Sequence, residues 1–266
     1  MSDGTAGIGR TIRAGLSGWA PGVRDAWAAL VVGSLASLTP SLLSPGLSFL
    51  SLPIELAATT LAYGALYRLA FGGPKGVKGL RWGVAEWRLL ATELLVTAVL
   101  TVLAAVLSVV VGAVAMGVAR SAPAEFDTLS LEAFRGAMSG WGGMTASLVA
   151  IAAMLLMVWM FVRLALAPAA TVALGRIQVL SAFPRTRGAV LLLVAVGVVL
   201  SAPACILVMV IGYLSAVAGL PDVAPVSRLI GVVLVFFYLI PVWTAALVHV
   251  YRHHVPPTPA PGSVRS

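Results

Sequence analysis

The sequence predicts an all-α, polytopic membrane protein: six transmembrane helices arranged as three hairpins, with amphipathic helices at the interface. Three observations predict it. Of 266 residues, 60% are hydrophobic and only 10% charged, with a mean hydropathy of +1.04, which leaves too little polar surface to clothe an ordinary soluble domain. The apolar residues gather into six long stretches, each near or above the roughly 17 to 25 residues that cross a bilayer as a helix. When those stretches are threaded alternately, 14 of the 17 Lys and Arg fall on one side, and only Arg120, Arg135 and Arg228 lie opposite with Glu125, Asp127, Glu132 and Asp222.

Each element follows from local punctuation. The first stretch, Ala26 to Leu43, is short for a span, and Ser44-Pro45-Gly46 turns the chain at once because neither proline nor glycine continues a helix there. The second, Leu47 to Phe71, must then return antiparallel to the first. The third, Leu89 to Val118, exceeds a bilayer's thickness and predicts tilt or a projecting end. The fourth is Met144 to Ala167; the fifth, Ala189 to Val217, holds Pro203, and the sixth, Leu229 to Val250, holds Pro241, so both are expected to kink. Residues 1–25 then form a cytoplasmic N-terminal segment, 26–250 the transmembrane domain and 251–266 a cytoplasmic tail. The basic bias points to a cell inner (plasma) membrane with both termini cytoplasmic. Met1 to Asp25 lacks the apolar core of a secretory signal, which predicts insertion without cleavage.

Between the spans, Gly79 to Arg88 would place Leu80, Val84 and Trp87 on one helical face and Arg81, Glu86 and Arg88 elsewhere, the pattern of a helix lying flat at the headgroups. Pro168 to Gly188 is too apolar for a free loop and too interrupted to span. The longest outer loop, Ala119 to Gly143, spaces Leu131, Phe134 and Met138 as a short amphipathic helix. A threefold pattern runs through the chain: a basic, aromatic stretch precedes each odd-numbered span, at Trp19–Trp27, Arg81–Arg88 and Leu180–Arg187. Each even-numbered span exits through an arginine, at Arg68, Arg163 and Arg252. Either three hairpins repeat, or aromatic and basic anchors mark every inner helix end alike.

A net charge of +8 would suggest nucleic acid in a soluble chain. Here the excess sits in short loops, where positive-inside bias and anionic headgroups account for it, so no nucleic-acid partner is expected. The lone Cys205 rules out an intrachain disulfide and a thiolate metal site, and reads as a small packed hydrophobe. His249, His253 and His254 have no neighbouring acid or thiol to complete a metal shell, so no metal and no cofactor are expected. Gly33 with Ala29 and Ser37, and Gly197 with Ser201, allow close helix packing. No catalytic constellation stands out. Ionisable residues within spans are therefore the functional candidates. Glu55, just after Pro53, reads either as a proton or cation site or as a structural acid bonded near the outer mouth. Glu93 stands a turn beyond Arg88 and could pair with a nearby base, whereas Arg68 and Arg163 could snorkel to the inner headgroups.

The run Arg163-Leu-Ala-Leu-Ala-Pro168-Ala-Ala-Thr-Val172, followed by Ser181-Ala-Phe-Pro-Arg185-Thr-Arg187-Gly188 and a new apolar helix, resembles a bacterial group of six-helix membrane proteins. That group includes the membrane domain of glycerophosphoryl diester phosphodiesterases. The resemblance covers Arg163 to Gly188 by motif and the remainder by helix count. It implies a six-helix bundle with an Arg near the end of the fourth helix and a basic elbow before the fifth; from their own places in the chain, Arg163, Arg176, Arg185 and Arg187 are expected to meet lipid headgroups. Pro184 departs from the regular helix of that elbow, and only Arg252 to Ser266 follow the sixth span, so the phosphodiesterase activity does not carry over.

Two functions from different classes follow. One is a non-enzymatic membrane protein that organises anionic lipids or a membrane-protein partner through its basic elbows. The other is a transporter of small solutes or lipids that uses Glu55 and the kinked fifth and sixth helices.

Overall fold

Backbone groups in lipid have no water to bond, and helices are the open-chain solution that satisfies them internally. The computed structural model describes residues 2–42, 45–74, 76–121, 141–180, 182–186, 188–217 and 224–254, and among them every regular element is helical, apart from one isolated bridge between Val77 and Leu80. The helices are α1 (Ser2–Leu38), α2 (Ser51–Ala70), α3 (Val84–Ser121), α4 (Trp141–Leu164), α5 (Ala167–Leu174), the single turn α6 (Ala182–Arg185), α7 (Val190–Val217), α8 (Ala224–Leu234) and α9 (Ile240–His254). Two 3₁₀ segments, Thr39–Leu42 and Pro45–Leu50, precede α2, and a π-helical turn, Val235–Leu239, links α8 to α9. The expected helix around Leu131, Phe134 and Met138 lies outside the described residues, as do Lys75 and Arg187.

Five stretches are long and apolar enough to cross a membrane: Gly46–Ala70, Val84–Val118, Gly143–Leu174, Val190–Ser215 and Pro225–His253. They fall on the second to sixth apolar stretches of the sequence. The first differs. Instead of a separate span after a polar segment, residues 2–38 form one continuous helix with Pro21 inside it, and this helix is not among the five. Its polar first half is no detached tail: Thr11 is buried, and Ile8 and Ile12 pack against Val196, Leu200, Val242 and Ala246. The fourth stretch also divides, α4 ending at Leu164 and α5 beginning beside Pro168, which is accepted in a helix's first turn because its missing N–H has no partner there anyway.

The chain folds as two units, Met1–Leu94 with Leu164–Ser266, and Leu95–Arg163. In the first, α1 presents Ala26, Ala29, Leu30, Gly33 and Ser37 at helical spacing, all buried. Gly22 lies against Leu66 and Gly33 against Ala58, so α1 and α2 run in opposite directions. Gly33 is required by this packing, because a β-carbon there would stand 2.7 Å from Phe236 Cε1 and 3.0 Å from the Ala58 carbonyl oxygen. The second unit holds the remainder of α3 and α4. These helices are apolar all round, with Val102, Val109, Met154 and Leu155 exposed, and a cleft of about 430 Å³ within the unit is lined by small and flexible residues including Ser108, Gly112, Ala150 and Met154.

Pro241 shows how a break is repaired. Proline has no N–H for the carbonyl four residues back, which here is that of Phe237. The Trp19 indole of α1 donates to that oxygen at 2.6 Å, and the Trp19 ring meets Tyr238 edge-on at 6.0 Å. The π turn sits directly upstream, closed by Ile240 N–H donating to Val235 O. The expected kink site is thus a π turn tied to α1. Pro203 lies inside α7, which is one helix from Val190 to Val217. Cys205, expected to be packed, is exposed on α7, as are Ile206 and Met209.

Gly33→Ala is expected to destabilise the protein by about 1–3 kcal/mol through overpacking against Phe236 and Ala58. Thermal unfolding in detergent measures it, and an unchanged midpoint would contradict the packing described.

Candidate functional site

Arg68, Glu86, Thr92, Thr171 and Gln178, all buried, collect where α2 ends, α3 begins and α5 ends. The turn from α2 to α3 is made by left-handed backbone at Gly72, Gly76, Lys78 and Gly79. Gly79, at φ +85°, is also pressed so close to α1 that a β-carbon would stand 2.8 Å from Ala26 Cα. This backbone excludes the flat helix expected over Gly79–Arg88: Leu80 belongs to the turn, and α3 starts at Val84. Gly83 caps α3, its N–H donating to Glu86 Oε2 at 2.8 Å, the reach-back half of a capping box.

Glu86 therefore does not face water, as its place on the predicted polar face implied. It is 1% exposed, forms an ion pair with Arg68, and fits beside α2 because Gly64 has no side chain: a β-carbon there would lie 3.1 Å from Glu86 Oε1. Arg68, expected to snorkel, is 4% exposed and donates a second bond to Gly79 O at 2.9 Å. An inward Glu within reach makes pairing cheaper than stretching the guanidinium to water.

Glu93 also differs from expectation. Rather than pairing with a base, it accepts from Thr60 Oγ1 at 2.8 Å, with Thr59 Oγ1 3.3 Å away, both on α2. Arg88, one turn earlier, donates instead to Gly175 O, the left-handed cap residue of α5. Arg252 does the same for α2, donating to Ala70 O with its guanidinium 5.8 Å from the Phe71 ring centroid. Both place a cation on the carbonyl end of a neighbouring helix, where the last C=O groups lack partners and the dipole is negative. A hydroxyl chain joins α3 to α5: Thr92 donates to Arg88 O at 2.9 Å, Gln178 N–H donates to Thr171 Oγ1 at 3.1 Å, and Thr171 lies 3.0 Å from Thr92. With the Thr92 proton engaged, Thr171 is the donor of that pair.

The remaining candidates are dispersed. Glu55 is exposed on α2, and its backbone carbonyl accepts from Thr59 Oγ1 at 2.9 Å. Arg163, half-buried, lies 5.1 Å from the Trp159 ring centroid. Arg176 is exposed; the side chain of Arg185 and all of Arg187 lie outside the described residues. The His249 and His253 rings lie 4.1 Å apart, tilted by 36°, beside Asp25 and Arg252 in a cavity of about 460 Å³. Among the described residues, no group of three His, Cys, Asp or Glu stands close enough to hold a metal. A second cavity, about 370 Å³, opens beside the ion pair and is lined by Arg68, Arg81, Glu86, Val84, Val172 and Ala173 among others. Sequence reasoning had one signal for this cluster, the Gly83-x-x-Glu86 spacing at a helix start, and did not use it. No protein-family model, curated protein or solved structure matches the chain.

Arg68→Leu should destabilise the protein by about 3–5 kcal/mol, because it strands a buried carboxylate. The double variant Arg68→Leu/Glu86→Leu should regain much of that loss in thermal unfolding. A double variant as unstable as the sum of its parts would assign the cost to packing alone.

Proposed function

We propose that this chain is a non-enzymatic, multi-pass protein of the inner membrane, with six helices in three hairpins, whose basic elbows organise anionic lipid or a membrane-protein partner on the cytoplasmic side. One observation carries the reading. On the turn before α3 and the first turn of that helix, the exposed Val77, Leu80, Trp82 and Trp87 stand with the exposed Lys78 and Arg81, and the turn is pinned from inside by Arg68 through Gly79 O. Trp82 and Trp87 meet edge-on at 5.5 Å. Tryptophan and aliphatic groups that enter the acyl boundary, beside cations that meet phosphate, are the composition an anionic headgroup layer accepts. The second elbow supports the same reading, with exposed Arg176 between Gly175 and the exposed Ile177 and Leu180. The likeness of Arg163–Gly188 to the six-helix group belongs with this proposal.

Transport through Glu55 and the kinked helices is the alternative. It gains less support: Glu55 is exposed, and the carbonyl that Pro241 frees is already taken by Trp19 and so not open to a substrate.

Replacing Arg176, Arg185 and Arg187 together with Gln is expected to reduce copurifying anionic lipid or disturb insertion of α7. Lipid analysis of the purified protein and a glycosylation or protease assay of insertion read this out; no change in either would refute the elbow reading. Reporters placed after Arg252 and near Lys75 should report cytoplasm, and one near Asp127 the opposite side. An external C-terminus would overturn the six-span topology. Glu55→Gln should leave abundance and deletion rescue intact, whereas loss of rescue at normal abundance would favour transport.

A further inference from the structure

We propose that Glu93 is a proton-binding site between α2 and α3: its carboxyl group holds a proton that it donates to Thr59, and it exchanges that proton with the surroundings. The site is separate from the basic elbows and does not depend on their lipid reading. Three observations carry it. Glu93 belongs to Val84–Val118, a stretch long and apolar enough to cross a membrane, where an acid is costly unless it is paired or neutral. Among the described residues it forms no ion pair. Arg68 is committed to Glu86 and Gly79 O, and Arg88, one turn away on α3, to Gly175 O.

The hydroxyl protons give the second observation. Thr60 Oγ1 donates to Glu93 Oε2 at 2.8 Å. Thr59 Oγ1 stands 3.3 Å from the same oxygen, but 2.9 Å from Glu55 O and 3.2 Å from Leu56 O, which makes three acceptors for one proton. The shortest contact is to the carbonyl one turn back, where a helical threonine commonly donates. With its proton there, Thr59 turns a lone pair towards Oε2, and a proton must lie between the two oxygens for them to attract. A protonated Glu93 supplies it: the Oε2 hydroxyl donates to Thr59 Oγ1 and still accepts from Thr60. The third observation is Oε1, which is buried with no hydrogen-bond partner. As the carbonyl oxygen of a neutral acid it forfeits one modest bond, whereas as half of a carboxylate it would hold charge without solvation.

The groups around the site bring no cation to it. Thr60, Tyr63 and Tyr67 share one face of α2 by helical spacing, and both phenols are close enough to feel the Glu93 charge. Glu55, one turn from Thr59, is exposed and would add only negative charge. On α3, Glu86 is matched by Arg68. The helix α5, which meets α3 through Thr171 and Thr92, carries no titratable side chain. A divalent cation in place of the proton would collect about six oxygens, and the side chains here offer one carboxylate and two hydroxyls.

The test uses the full chain reconstituted in liposomes and followed by infrared spectroscopy across a pH titration. The carbonyl stretch of a protonated carboxyl should be present at neutral pH, lost in Glu93→Gln and kept in Glu55→Gln. Thr59→Val, which removes the acceptor, should move that band to higher frequency and release the proton at lower pH. Thr60→Val should shift release to higher pH, because the donor it removes favours the ionised form. A hydrophobic carbodiimide, which attacks a carboxyl only while it is protonated, should modify Glu93, located by mass spectrometry. Its rate should fall about tenfold per pH unit once the proton leaves. A spectrum with no Glu93-dependent band at neutral pH would overturn the site. Release at higher pH in Thr59→Val would do the same, since Thr59 would then be a donor to a carboxylate. Protection of Glu93 from the carbodiimide by sodium at fixed pH would assign the site to a metal cation and overturn the proton reading.

Discussion

Taking a carboxylate and a guanidinium out of water costs several kcal/mol per ion unless each meets the other and their remaining hydrogen bonds are filled. The burial of Arg68 and Glu86 imposes that condition on α2, on α3 and on the turn between them. Gly64 must lack a side chain so that the carboxylate can enter. The turn must bring Gly79 O within 2.9 Å of Arg68, which in turn needs the left-handed residues at Gly76, Lys78 and Gly79. The first turn of α3 is oriented by the same carboxylate through Gly83. One ion pair thus sets the exit of a helix, the path of a turn and the entry of the next helix.

The basic residues divide into two populations that a count cannot separate. Arg68, Arg88 and Arg252 are taken up by protein oxygens, two of them at the carbonyl ends of helices distant in sequence. Arg81 and Arg176 stand exposed. A topology rule weighs all five equally, because it reads the cost of moving charge across the bilayer. The three arginines that end the even-numbered apolar stretches also meet three different environments: a buried carboxylate for Arg68, the Trp159 ring for Arg163 and a helix end for Arg252.

What could be read from the chain was what depends on local composition. Five apolar helices and the interruption after Ala167 follow from hydropathy and proline, and appear close to where composition puts them. The continuity of α1 through its polar half was not readable, since Thr11 and Gly15 become core only when α7 and α9 pack on them. Glu86 was misplaced because helical periodicity was extended back to Gly79, whose left-handed backbone belongs to the turn. Glu93 was misassigned because its partners Thr59 and Thr60 lie more than thirty positions earlier, and side-chain pairing at that distance leaves no periodic trace. Glu55, the acid most conspicuous in sequence, is exposed; Glu86, which looked ordinary, is enclosed.

The bond between Trp19 and the Phe237 carbonyl joins residues 218 positions apart. At a synthesis rate of about 5–20 residues per second, the acceptor emerges roughly ten to forty seconds after the donor. Through that interval α1 has neither the indole's acceptor nor the α9 surface over Gly15 and Gly18, so its amphiphilic half must wait at the water boundary while later helices enter the bilayer. Closure of this bond is then a late event of biogenesis, and α1 becomes part of the bundle only when the last helix is delivered to it.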